Sequence, residues 1–180
     1  MHAWIFGAWI ISADVGFSTP SDPLPGDAFV AVSVQAPLHR ALSLEATLGP
    51  GLPTTTAARS ASGGVRKVDI GSGLHALLLL RLEHRLIASG RWRVSGAVGP
   101  SLVSGDVFGT VPLAHADAAL SAGLSSHLRL TFALGYESAL ATSQAPFPAS
   151  ECTQTSAACP PLYRAGHGQI VSRWSLGWEF

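Results

Sequence analysis

The stretch that decides the fold runs from His167 to Phe180 and reads His-Gly-Gln-Ile-Val-Ser-Arg-Trp-Ser-Leu-Gly-Trp-Glu-Phe. Every second residue gives Ile170, Ser172, Trp174, Leu176, Trp178 and Phe180 on one face. His167, Gln169, Val171, Arg173, Ser175, Gly177 and Glu179 fall on the other. Period-two alternation of this kind predicts a strand with two unlike faces. The large aromatics gather at one end of the apolar face, where a membrane interface favours them.

Working outward, the same alternation recurs along the chain. A first strand is expected from Ala3 to Val15, with Ser12 and Asp14 placed inward. Residues 16 to 27, with Pro20, Pro23 and Pro25, form a long loop. A second strand spans Ala28 to Gln35, and a tight turn over Pro37 to Arg40 leads into Leu42, Leu44, Ala46 and Leu48, opposed by Ser43, Glu45 and Thr47. Pro50 to Gly64 reads as a second long loop, rich in Thr, Ser, Ala and Gly. A fourth strand is expected over Val65 to Leu82, with Val68, Ile70, Leu74, Leu78 and Leu80 outward and Lys67, Asp69, His75 and Arg81 inward. Glu83 to Gly90 then turns the chain. The fifth strand sets Trp92, Val94, Val98 and Leu102 against Arg91, Arg93, Ser95, Ala97 and Ser101. The sixth, Val111 to Leu124, places His115 and Asp117 on its polar side. The seventh alternates Leu128, Leu130, Phe132, Leu134 and Tyr136 with Arg129, Thr131, Ala133, Gly135 and Glu137. The longest loop, Ala141 to Ala165, precedes the last strand.

Long connections follow the odd strands and short ones the even strands, which is the asymmetry of bacterial outer-membrane barrels. The chain resembles that family, and within it the small eight-stranded barrels of the OmpA and OmpX type. The resemblance rests on the strand pattern and on Trp174, Leu176, Trp178 and the terminal Phe180. It implies an all-β fold, an eight-stranded antiparallel up-and-down transmembrane barrel in one domain spanning residues 1–180, located in the outer membrane. It also implies outer-membrane lipids and lipopolysaccharide as surroundings, a monomeric state, and an assembly machinery that reads the last strand through those four residues. Residues 1 to 13 could serve as a signal peptide. They carry no Lys or Arg before the apolar centre, and Trp4, Phe6 and Trp9 suit a strand better, so the export signal is expected upstream.

Composition agrees with this class. Equal numbers of basic and acidic residues, 11 of each, remove the electrostatic case for nucleic acid as a partner. Charged residues make up 12% of the chain and mean hydropathy is +0.32, yet no apolar run reaches the roughly 18 residues of a membrane helix. Eight strands enclose only enough space for side chains to fill. The inward set Glu45, Lys67, Asp69, His75, Arg91, Arg93, His115, Asp117, Arg129, Glu137 and Arg173 is therefore expected to form a paired interior network.

Little else in the chain carries chemistry. Cys152 and Cys159 lie in the longest loop with a spacing that suits a local disulfide and is too loose for zinc. No metal site and no cofactor are expected. The family also includes lipid A deacylases, which use His, Ser and Glu on the lipid-facing wall. Here His115 is followed two residues on by Asp117 and His167 by Gln169, and these residues face inward, so no catalytic residues are expected. The leading expectation is a non-enzymatic barrel acting through its loops or as an anchor. A small pore is the alternative, and a lipid-modifying enzyme comes third.

Overall fold

The computed structural model describes residues 8–19, 28–52, 54–59, 65–70, 73–86, 91–105, 109–144 and 161–180. Its strands are β1 (Ile10–Ser18), β2 (Ala28–His39), β3 (Leu42–Pro50), β4 (Thr54–Arg59), β5 (Val65–Ile70) and β6 (Leu74–Arg85). They continue with β7 (Trp92–Gly105), β8 (Gly109–Gly123), β9 (Leu128–Ala139), β10 (Ser143–Gln144), β11 (Pro161–Tyr163) and β12 (Gly168–Glu179). Eight of them close into an antiparallel barrel in the order β1-β12-β9-β8-β7-β6-β3-β2. Closure is made by β1 and β12, in a ladder running from Ile10 opposite Glu179 to Ser18 opposite Val171. No barrel strand is left with an unpaired edge, which is the condition for crossing hydrocarbon with strands.

The wall has the polarity that alternation demands. Leu80, Leu82, Val98, Leu120, Leu134, Ile170, Trp174 and Leu176 are exposed on the outside, while Glu45, Arg81, Asp117, Glu137 and Arg173 are buried within. Water as the outer solvent would make such a surface unfavourable at roughly 25 cal/mol for every Å² of apolar area left wet. Trp9, Trp92, Trp178 and Phe180 are exposed together at the end with the short turns, the position of an interfacial aromatic girdle. Trp174 packs on Phe132, its register partner, with ring centroids 4.6 Å apart.

Several boundaries differ from the reading of the sequence. The first strand begins at Ile10 rather than Ala3 and runs on to Ser18, because Gly16 and Phe17 keep the alternation and pair with β12. Residues 1–7 lie outside the described residues. The expected fourth strand, Val65 to Leu82, is two strands in different sheets. Its first part, β5, pairs only with β4 as a separate hairpin, Thr54 opposite Ile70 to Arg59 opposite Val65. The wall itself starts at Leu74. The entry is set at Gly73, where a Cβ would fall on the carbonyl oxygen of Ser104 in β7, so a residue with a side chain has no room there. β6 also continues through Glu83 to Arg85, where a turn was expected.

Candidate functional site: the lumen

The barrel has two ends, one with short turns and one with long loops, and its contents change between them. Nearest the turns, four side chains from β6, β7, β9 and β12 form a closed ring. Arg93 donates to Glu83 at 2.8 Å and to Glu179 at 3.3 Å. Arg129 donates to the same two carboxylates at 2.8 Å and 2.7 Å. Each guanidinium bridges both glutamates and each glutamate accepts from both arginines, the charge-assisted geometry that favours Arg over Lys.

One layer deeper, Glu45 on β3 accepts from Arg81 on β6 at 2.5 Å and pairs with Arg173 on β12 at 2.5 Å. Arg81 reaches past β7 to donate to Asp117 on β8 at 3.0 Å and also donates to Ser95 at 2.8 Å. Arg173 donates to Thr47 at 3.1 Å and lies 3.7 Å from Asp117 and 4.0 Å from Asp14. These side chains are almost without exposure, so each charge depends on its partners.

The third layer is built on histidines. His115 places Nδ1 3.1 Å from Glu137 and Nε2 3.2 Å from Asp117, so both ring nitrogens face carboxylates. His75 approaches Glu137 at 3.5 Å, and Gln169 donates to the other oxygen of Glu137 at 3.2 Å. Above them the lumen turns apolar. The ring of Phe29 lies on His75 at 4.1 Å and packs with Ala31 and Val171. Val103, Val111, Leu113 and Ala139 are buried at the same end, whereas Leu77, Leu79 and Ala97 form a separate apolar cluster beside the charged second layer, with Leu79 the register partner of Glu45 and Ala97 that of Arg81 and Asp117. Phe29 sits directly across from Gly16, and a Cβ at Gly16 would collide with its ring.

A void between the first two layers measures about 30 Å³, with room for about two waters.

The expected interior network is assembled in part. Glu45, His75, Arg93, His115, Asp117, Arg129, Glu137 and Arg173 meet inside the barrel. Lys67 and Asp69 lie on β5, which pairs with β4 in the separate hairpin rather than in the wall. Arg91 is exposed at the turn end, one residue before β7 begins, and has no part in the ring. Sequence reasoning left out Asp14, Arg81, Glu83 and Glu179 as network members. Asp14, Arg81 and Glu179 lie on the inward phase of their strands and could have been found by that signal. Glu83 was hidden by an early end assigned to its strand. Cys152 and Cys159 lie outside the described residues. Trp174, Leu176, Trp178 and Phe180 all face outward, as the alternation required.

No family model and no curated protein sequence matches the chain. Solved structures do. The outer membrane protein OprG from Pseudomonas aeruginosa aligns with a TM-score of 0.67 at 12% identity, over 97% of this chain and 96% of that one. The N-terminal β-barrel domain of OprF from the same organism gives 0.60 at 11% identity, over 97% and 98%. Outer membrane protein W of Escherichia coli gives 0.54 at 11% identity over the whole of both chains. The chain therefore has the fold of the small eight-stranded outer-membrane barrels.

Proposed function

We propose that this chain is an integral, monomeric protein of the bacterial outer membrane whose lumen is closed by its own side chains. It acts without catalysis, as a membrane anchor or through its loops. The observation that carries this reading is the lumen itself, in which four arginines and six carboxylates interlock below an apolar cap. A continuous file of water through it would have to separate buried ion pairs, at about 3 to 5 kcal/mol for each partner left alone. The lipid environment follows from the exposed apolar wall and the aromatic girdle at the turn end. On this reading the outward face of β12 is the surface that the assembly machinery meets.

Against a hydrolase, both nitrogens of His115 are committed to carboxylates, so neither is available to a serine as a base. The decisive experiment is single-channel recording of the purified chain in planar bilayers. No steady conductance is expected. An open-pore level in the wild type that truncation of the lumen arginines does not raise would establish the small pore in its place. Turnover of lipid A in detergent would overturn the non-enzymatic reading.

A further inference from the structure

At the turn end the lumen opens into a cavity of about 400 Å³, within the size range of small-ligand sites. Arg85, Arg91, Arg93 and Arg129 line it, together with the Ser125-Ser126 turn and a single carboxylate, Glu179. Four guanidiniums therefore converge on one mouth. The ring described above assigns Glu83 and Glu179 to Arg93 and Arg129. Among these side chains, four positive charges against two negative ones leave an excess of +2.

The excess belongs to Arg85 and Arg91, neither of which has an ion pair among the described residues. Both are exposed; Arg85 ends β6 on its inward phase, and Arg91 lies one residue before β7, in step with the inward Arg93. The register sets Arg85 directly opposite Arg93. Like charges facing each other across a strand pair are destabilising on their own, and an anion between them reverses the sign. No acidic residue is at hand to supply it: residues 86 to 91 are Leu, Ile, Ala, Ser, Gly and Arg, and residues 123 to 128 are Gly, Leu, Ser, Ser, His and Leu. The neighbouring β2–β3 turn adds His39 and Arg40, again without a carboxylate.

We propose that this mouth binds a phosphorylated anion, held by Arg85 and Arg91 in front of the Arg93–Arg129 ring. Planar guanidinium forks match tetrahedral oxyanions in two-point hydrogen bonds; a free phosphate with two charges balances the +2 of the mouth, and the singly charged phosphodiester of a lipid headgroup offsets half of it. Ser125 and Ser126 add hydroxyl groups at the rim, and Leu124 and Leu128 line the same cavity as an apolar lip. The phosphate can come from two sources, the headgroup of an anionic phospholipid in the adjoining leaflet or a free phosphate in solution. The lipid source rests on the membrane reading above, whereas the free phosphate does not.

The test is calorimetric titration of the folded full chain in non-ionic detergent, with inorganic phosphate in one arm and short-chain phosphatidylglycerol in the other. Wild type is expected to bind at least one of them, and Arg85→Gln with Arg91→Gln to weaken that binding roughly tenfold or more, as the loss of charge-assisted hydrogen bonds implies. Arg85→Lys with Arg91→Lys should retain part of it. Binding of both titrants identifies the phosphate group alone as the ligand, and binding of the lipid only assigns the site to a headgroup, with the leucine lip taking the acyl stem. In a second readout on the wild type, the bound titrant should protect Arg85 and Arg91 from phenylglyoxal, located by mass spectrometry. The proposal fails if neither titrant binds the wild type, if the glutamine pair binds as tightly as wild type, or if neither arginine is protected. A solvated basic rim, the plain alternative, gives all three of those results.

Discussion

The two halves of the lumen solve the same problem by different physics. Toward the turns the space is filled by charge, with Arg81, Arg93, Arg129 and Arg173 each contacting at least two carboxylates. Toward the loops the buried side chains are Phe29, Val103, Val111 and Leu113. Charge fixes geometry, since each guanidinium has one orientation that satisfies both partners, but it fails sharply when one partner is lost. Apolar packing is more forgiving, because a cavity can partly collapse. The polar half should therefore be the brittle half.

That contrast sets the order of expected effects. Glu45→Ala removes the carboxylate shared by Arg81 and Arg173 and should cost about 3 to 5 kcal/mol, read as a lower urea midpoint in detergent, with new ion leakage in bilayers. A loss under about 1 kcal/mol without leakage would show that the central pairs add nothing to closure. Leu113→Ala, at a fully buried side chain of the apolar half, should cost about 2 to 4 kcal/mol and leave the barrel non-conducting. Leakage from this variant would mean that the apolar cap, and not the ion pairs, is the seal.

Smaller effects are expected at the ring and outside the barrel. Glu83 and Glu179 are partly exposed, so Glu83→Gln should cost only about 1 kcal/mol and the difference should shrink as salt is raised. A salt-independent loss would place the ring in a drier setting than its exposure indicates. Replacing residues 54 to 70 by a short Gly-Ser link should change stability least, by about 0.5 kcal/mol or less, because the β4–β5 hairpin pairs only with itself. Loss of heat-modifiable migration in an SDS gel on removing it would show that the wall leans on this hairpin.

What the amino-acid order determined was the class of structure. Alternation in Leu128 to Tyr136 and in Gln169 to Phe180 separates an apolar face from a polar one, and a period of two survives any detail of folding because successive side chains must point to opposite faces of a strand. Loop and turn composition ordered the strands, and the inward phase named most of the lumen charges. The tertiary structure decided what alternation is blind to. Val65 to Ile70 alternates as a strand whether it joins the wall or a hairpin, and only its partner, Thr54 to Arg59, takes Lys67 and Asp69 out of the barrel. The pairs Arg81–Asp117 and Arg173–Glu45 join residues from non-adjacent strands across the lumen. Their meeting depends on the curvature and closure of the wall, which bring strands two and three places apart within the reach of one arginine side chain, and no local pattern encodes that distance.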